Sequence, residues 1–513
     1  MGRFLSPTAY RFYPPNNYIS NSLSKKQQCL SLLKEDCSSM KQLNQIHAQL
    51  QISGLHRDGY VVAEILRFCA LSPFGNLDYA QSVLYRALNP IPASWNNVIR
   101  GYSKSDSPRI AILVFLEMRN RGTRPNNLTF PFLLKACARL SALEEGRQIQ
   151  VEILKNGLDS DVYVQNTLIH FYGSCRKISD ARHVFDYMSF RTLVSWNAVI
   201  TACIENSLLD DSILLFAKMR ISGFEPDEAT MVILLSACAE LGNLSLGKWF
   251  HCQVIEKGLV MNYQLGTALV DMYAKCGSVD CARSVFHRMF DRNVWTWSAM
   301  ILGLAQHGLA NEALKLFMKM KNTSIQPNYV TFLGVLCACS HAGLVEDGFK
   351  FFHEMVNVHG IEPMMTHYGA MVDILGRSGH LKEAYKFIME MPIEPDPVVL
   401  RTLLSACSIH DVNGRSGISE KVTKRLMELE PKRTGNFVMV ANMYAEVGLW
   451  EEAGKLRKVM REGGLKKMAG ESCVEVGGSI HRFLSGDDTR YDCDGIYRLL
   501  DGLNLHMKMI ENL

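Results

Sequence analysis

LVSWNAVITACIENSLLDDSILLFAKMRISGFEPD, residues 193–227, reads as two short helices and a stop. Val194, Trp196, Val199 and Ile200 recur at spacings of three and four and give the first helix an apolar face. Glu205-Asn206-Ser207 supplies a polar turn, after which Leu209, Ile213, Phe216 and Met219 form a second face of the same period. Gly223 closes the second helix, and Pro226 prevents its continuation because its ring excludes a helical hydrogen bond. A helix pair this short cannot bury two apolar faces alone. Stacked copies can, so the stretch predicts a repeat array.

The copies are present. Trp95-Asn96, Trp196-Asn197 and Trp297-Ser298 stand 101 residues apart, as do Phe115, Phe216 and Phe317 and the methionines three residues after each, Met118, Met219 and Met320. The same step links Pro125-Asn126, Pro226-Asp227 and Pro327-Asn328, and Cys137, Cys238 and Cys339. It also carries Tyr172 to Tyr273 and Ala181-Arg182 to Ala282-Arg283. So many unrelated markers held in phase define a real repeat. The first two periods divide into subunits of 35, 35 and 31 residues, as in 193–227, 228–262 and 263–293.

With 513 residues, 48% of them hydrophobic, and a formal charge of +4, the chain has ample material for a continuous core and is only mildly basic. If it binds nucleic acid, affinity must come from many local contacts more than from bulk charge. No apolar run approaches the roughly 18 residues a spanning helix needs, so no membrane partner is expected. The 15 cysteines include no Cys-x-x-Cys pair, and most sit inside helical apolar patterns. They read as reduced, small buried hydrophobes. Met1 to Leu33 carries Arg3, Arg11, Lys25 and Lys26 with no acidic residue before Glu35, which resembles an organelle transit peptide and leaves 1–35 outside the expected fold. A mitochondrial destination is expected, with the chloroplast as the alternative.

The stretch 193–227 resembles a plant pentatricopeptide repeat, and the alternating lengths resemble its P, L and S types. P repeats fall at 92–126, 193–227 and 294–328; L repeats at 127–161, 228–262 and 329–364; S repeats at 162–192, 263–293 and 365–396. Residues 36–91, with MKQLNQIHAQLQISGLHRD at 40–58, resemble a degenerate opening pair. GNFVMVANMYAEVGLWEEAGKLRKVMREGGLKK (435–467) and ESCVEVGGSIHRFLSGD (471–487) resemble the E and partial E+ extensions, placed at 397–476 and 477–513. The tetratricopeptide alternative, a repeat of about 34 residues, does not fit the mixed lengths. The implied fold class is all-α, a right-handed α-solenoid of helix–turn–helix repeats, with tetratricopeptide-like helices in the E motif.

The resemblance implies a one-repeat, one-base code read by the fifth and last residues of each repeat. The pairs are Asn96 with Asn126, Asn166 with Thr192, Asn197 with Asp227, Thr267 with Asn293, and Ser298 with Asn328. The family rule assigns them pyrimidine, pyrimidine, U, A and A in turn. Asn166 with Thr192 departs from the commonest combinations, and Gly369 with Asp396 carries almost no information. In the L repeats the fifth residues are Pro131, Val232 and Leu333, whose side chains cannot hydrogen-bond a base, so these repeats are expected to be spacers. The second residue packs against the base plane; Val194 suits that role, whereas Ala93 is small and Trp295 unusual there. Outside the family, an Asn or Asp in these positions is often only a helix cap. Trp95, Trp196 and Trp297 are expected in the core.

Gly242-Asn-Leu-Ser-Leu-Gly247-Lys248-Trp249 comes close to a phosphate-binding loop, but Trp249 stands where Mg²⁺ binding needs Ser or Thr, and no strand precedes it. Neither His-x-Glu nor Pro-Cys-x-x-Cys, the zinc-deaminase signature, occurs. The chain is therefore expected to be no enzyme, with no catalytic residue, cofactor or metal. The resemblance implies a recognition factor for C-to-U editing of an organelle transcript. Its partners would be single-stranded RNA, a DYW-type deaminase acting in trans through residues 397–490, and organellar editing factors. An RNA stabilisation or processing factor and a protein–protein scaffold are the alternatives.

Overall fold

Thr192 opens the helix pair by capping it: its hydroxyl accepts the Ser195 N–H at 3.3 Å while Ser195 Oγ accepts the Thr192 N–H at 3.1 Å. This geometry comes from a computed structural model, which describes residues 20–411, 417–465, 470–476, 479–484 and 499. The first helix runs Leu193–Glu205 and ends where Ser207 turns left-handed, φ 60°; the second runs Leu209–Ile221. Gly223, at φ +83°, lets the Phe224 N–H reach back to the Met219 carbonyl at 3.2 Å, which satisfies an end carbonyl of the helix. Trp196, Val199, Ile200 and Cys203 are buried on one face. Val194 is not: it is 63% exposed, about 200° round the helix from Trp196. The apolar face thus starts at Trp196, a correction to the sequence reading that is set by helix geometry.

Among the described residues there are 26 α-helices, and every repeat interval from 92 to 396 holds two of them. The 31-residue intervals shorten the second helix: Ile178–Tyr187 and Val279–Arg288 have 10 residues each, where Leu209–Ile221 has 13. The chain divides into two compact units, Met1–Pro226 and Asp227–Leu513. Within the first, the leading helices Pro92–Lys104, Thr129–Leu140, Val162–Ser174 and Leu193–Glu205 pack each on the next. Within the second, the leading helices from Glu228–Leu241 to Pro397–His410 do the same. Each unit is therefore an α-solenoid whose first helices form a continuous layer. Aromatic contacts fill the seams: fully buried Phe317 meets Phe332 and Phe351 edge-on, ring centroids 5.6 Å apart in both cases. Burying one such ring is worth roughly 1.5–3 kcal/mol.

Two readings need adjustment. The segment 1–35 was expected outside the fold, and residues 1–19 lie outside the described part. From residue 20 the chain is helical, Ser20–Ser31; Lys26 Nζ pairs with Asp58 Oδ2 at 2.5 Å, and Leu33 is 2% exposed. An apolar and a charged anchor therefore draw the later part of that segment into the fold. The expected all-helical ending also gains an antiparallel hairpin, Glu471–Val476 with Ser479–Leu484. The tail before it is helical, at Pro397–His410, Ile418–Leu429, Thr434–Glu446 and Trp450–Glu462. Most of the 477–513 assignment lies outside the described residues.

Candidate nucleic-acid interface

The last residue of each repeat sits just ahead of the next first helix, so its side chain meets unsatisfied backbone N–H groups. Asn328 shows the result. Its Oδ1 accepts the Thr331 N–H at 2.9 Å and also meets Thr331 Oγ1 and Ser298 Oγ, each at 3.0 Å. Ser298 Oγ lies 2.7 Å from Thr331 Oγ1 and 2.8 Å from the Val294 carbonyl. The fifth and last residues of this repeat are thus joined at one oxygen. The other end of the amide, Nδ2, is buried and donates to nothing.

Asn96 and Asn126 are joined in the same way. Asn96 Nδ2 donates to Asn126 Oδ1 at 3.0 Å, and Thr129 Oγ1 reaches Asn96 Oδ1 at 2.7 Å and Asn126 Oδ1 at 3.1 Å. In the third such group, Thr296 N–H and Oγ1 both donate to Asn293 Oδ1 at 3.0 Å, while Thr267 Oγ1 lies 2.7 Å from Thr296 Oγ1. Asp227 caps its helix through Oδ1, which accepts the Thr230 N–H at 2.8 Å and the Thr230 hydroxyl at 2.7 Å. Asn197 is 9% exposed on the helix Leu193–Glu205 of the preceding unit. Asn166 is set apart: its Oδ1 is buried and accepts no hydrogen bond, while the Thr192 hydroxyl pairs with Ser195 Oγ at 3.1 Å. Thr129, Thr296 and Thr331 were not singled out in the sequence, where they read only as residues of a helix start.

In the L repeats the fifth positions place Pro131, Val232 and Leu333 on the leading helices Thr129–Leu140, Glu228–Leu241 and Tyr329–Ala342. Their caps persist all the same: Asp161 accepts the Val164 N–H at 3.1 Å, and Asn262 accepts the Leu265 N–H at 2.9 Å. Capping is therefore common to both kinds of repeat. A polar group at the fifth position is not.

Val194 offers an exposed apolar surface beside its repeat's fifth residue. Trp295, 47% exposed, stands edge-on to Tyr329 with centroids 5.9 Å apart. Trp95, Trp196 and Trp297 are buried, and Phe185 and Phe286 pack against the last two. In the phosphate-loop look-alike, Gly242 at φ +66° ends the helix Glu228–Leu241, and a side chain at Gly247 would come within 2.3 Å of Met272 Sδ. Both glycines have structural reasons. Cys137, Cys238 and Cys339 are buried, and desolvation pushes the Cys137 and Cys339 thiols up to about 12, so they stay protonated. Among the described residues, no three His, Cys, Asp or Glu side chains converge as a metal site would require.

Comparison with known proteins matches the PPR repeat family at 92–139, 191–240 and 292–341, the PPR repeat at 166–191, 267–294, 330–358 and 366–394, and the E motif at 415–475. A pentatricopeptide repeat-containing protein of Arabidopsis thaliana is 59% identical over 93% of this chain and 95% of its own length. Two more from that plant are 40% identical over 93% of this chain and 79% of theirs, and 37% identical over 98% and 64%; their names describe them as chloroplastic and mitochondrial respectively. Among solved structures, the pentatricopeptide repeat protein PPR10 in complex with an 18-nt psaJ RNA element aligns with a TM-score of 0.45 at 17% identity, covering 87% of this chain and 74% of that one.

Proposed function

Because the chain belongs to the pentatricopeptide repeat family, we propose that it binds single-stranded RNA and reads bases at its P and S repeats. The observation that carries this reading is the division of labour within Asn328: one end of the amide caps a helix, and the other end is a donor with no partner. A donor in that place suits adenine N1 or cytosine N3, which are acceptors. An Asp bound by one oxygen, as Asp227 is, keeps a second oxygen that the cap does not use. That acceptor suits guanine N1–H or uracil N3–H. Asn96 with Asn126, Asn166 with Thr192, Asn197 with Asp227, Thr267 with Asn293 and Ser298 with Asn328 are the base-reading pairs, and exposed Val194 packs on a base. Pro131, Val232 and Leu333 mark repeats that space the readers along the strand.

The biological role is site recognition for C-to-U editing of an organelle transcript. The deaminase acts in trans and is recruited through residues 397–490, within which the E motif lies. The basic segment 1–35 directs the chain to the mitochondrion. In the family's register, repeat 365–396 sits roughly four nucleotides upstream of the edited C, one base per repeat. Deep sequencing of organelle transcripts from plants with and without the protein tests this. The expected result is loss of editing at one or a few sites, with adjacent adenines at the Thr267 and Ser298 offsets. Editing unchanged everywhere would discard the editing role. Changed transcript ends or abundance would then favour stabilisation or processing. Salt-sensitive binding to single-stranded RNA separates all RNA roles from a protein scaffold.

A further inference from the structure

The third residue of a repeat follows a rule that depends on the repeat before it. After each repeat whose fifth residue is polar (Asn96, Asn166, Asn197, Thr267 and Ser298), the third residue is a hydroxyl: Thr129, Ser195, Thr230, Thr296 and Thr331. After each repeat whose fifth residue has no polar side chain (Pro131, Val232, Leu333 and Gly369), it is Val164, Leu265, His367 and Val399. Helix capping does not explain the split, because Asp161, Asn262 and Asp396 cap perfectly well ahead of Val164, Leu265 and Val399. All five hydroxyl-bearing residues are fully buried, and a buried hydroxyl is retained where it has partners to hold.

Resting on the base-reading assignment above, we propose that in the groups Asn96–Asn126, Thr267–Asn293 and Ser298–Asn328 this hydroxyl is the third member, a positioning residue that fixes which atom of the last side chain faces the base. Thr331 shows how. Its Oγ1 accepts the Asn328 backbone N–H at 3.1 Å, and it lies 3.0 Å from Asn328 Oδ1 and 2.7 Å from Ser298 Oγ. With the Thr331 N–H also directed at it, Oδ1 is surrounded by donors, and a backbone N–H cannot become an acceptor. Turning the amide over would set Nδ2 against that N–H. The hydroxyl therefore biases Asn328 to present Nδ2, and it ties the fifth residue to the same oxygen. Thr129 does this for Asn96 and Asn126, and Thr296 for Thr267 and Asn293. Where no reader precedes, the place is filled by packing groups. His367 is the variant: Nδ1 accepts the Met364 N–H at 3.0 Å, and Nε2 bonds the Tyr329 carbonyl at 2.8 Å, a fastening made to backbone alone.

The test uses the full chain and synthetic RNAs that differ only at the nucleotide opposite Ser298 and Asn328. Thr331→Val keeps shape and loses the hydroxyl; it should reduce the A-over-G affinity ratio there about 5- to 10-fold, the worth of roughly one hydrogen bond. The ratio at the Thr267 and Asn293 nucleotide should stay unchanged, and Thr331→Ser should restore discrimination. A merely structural role would lower affinity for every RNA alike and move neither ratio. Thr331→Val that keeps its A-over-G ratio overturns the proposal while base reading stands. A wild-type chain that binds RNA with no preference at this nucleotide overturns both. Thr129→Val, read at the Asn96 and Asn126 nucleotide, gives the same answer should the first variant be too unstable to bind.

Discussion

Repeats 294–328 and 329–364 are neighbours with one architecture and opposite seams. Each is a pair of helices whose fourth residue, Trp297 or Phe332, is buried in the aromatic core. At the fifth and last positions, and at the third of the repeat that follows, they diverge: Ser298, Asn328 and Thr331 for the first, Leu333, Met364 and His367 for the second. The first group is a hydrogen-bonded cluster with a donor left over; the second is fastened through an imidazole to backbone groups. Stacking and reading are thus separable properties. The fourth residue serves the first, and the fifth, the last and the following third carry the proposed reading.

The largest expected effect ignores the distinction. Trp95→Ala in a reading repeat and Phe130→Ala in the adjoining spacer each empty a fully buried site. Each should cost about 3–5 kcal/mol in urea denaturation. A spacer variant that cost little would break the claim of a shared scaffold. Next, Asn328→Asp keeps the capping oxygen and replaces the donor by an acceptor, so affinity should shift from A towards G by about 10-fold at that nucleotide, measured by titration. An unchanged preference would remove Asn328 from the reading set. Smaller again is the conversion of a spacer. Val232→Asn alone should give less than about 2-fold discrimination at its nucleotide, whereas Val232→Asn with Leu265→Thr should give about 3-fold, since only the pair recreates the cluster.

The smallest effect concerns pH. Burial holds the His367 pKa below its ordinary value, against the opposing influence of its bond to the Tyr329 carbonyl. The unfolded chain then binds the proton more readily than the folded one, so stability is full above about pH 6.5 and falls as pH drops through that value towards the folded pKa. Thermal melts between about pH 7.5 and 5.5 should show this slope, and His367→Gln should flatten part of it. Burial also lowers the pKa of His251, with a further push from Arg288, so a residual slope belongs there.

The repeat, its length classes and the buried tryptophans were legible because spacing and apolarity repeat every 101 residues and packing obeys them. Val194 was misplaced on the core face because counting apolar residues ignores the angle at the first turn. Thr129, Thr296 and Thr331 escaped notice because a hydroxyl three residues after a cap is an ordinary helix start. Only its correlation with the previous repeat's fifth residue sets it apart, and that correlation acquires meaning once the distances are known. The latter part of segment 1–35 was hidden for a different reason: its anchors, Asp58 and the helix Gly59–Leu71 against which the turn holding buried Leu33 packs, lie beyond any local pattern.

Asn126, Asp161, Thr192, Asp227, Asn262, Asn293, Asn328 and Asp396 all end repeats, and all carry an oxygen able to cap the start of the next helix. The proposed recognition is therefore written in an alphabet chosen by secondary structure. A Gln, Arg or Lys in these places could hydrogen-bond a base, yet it would leave a helix end uncapped, at about 1 kcal/mol. The exception, Met364, follows Leu333, where there is no letter to write, and His367 bonds its backbone N–H instead. An array of this kind can change its target by exchanging Asn, Asp, Ser and Thr among themselves without disturbing the helices. The vocabulary it can evolve is narrow for the same reason that it is safe.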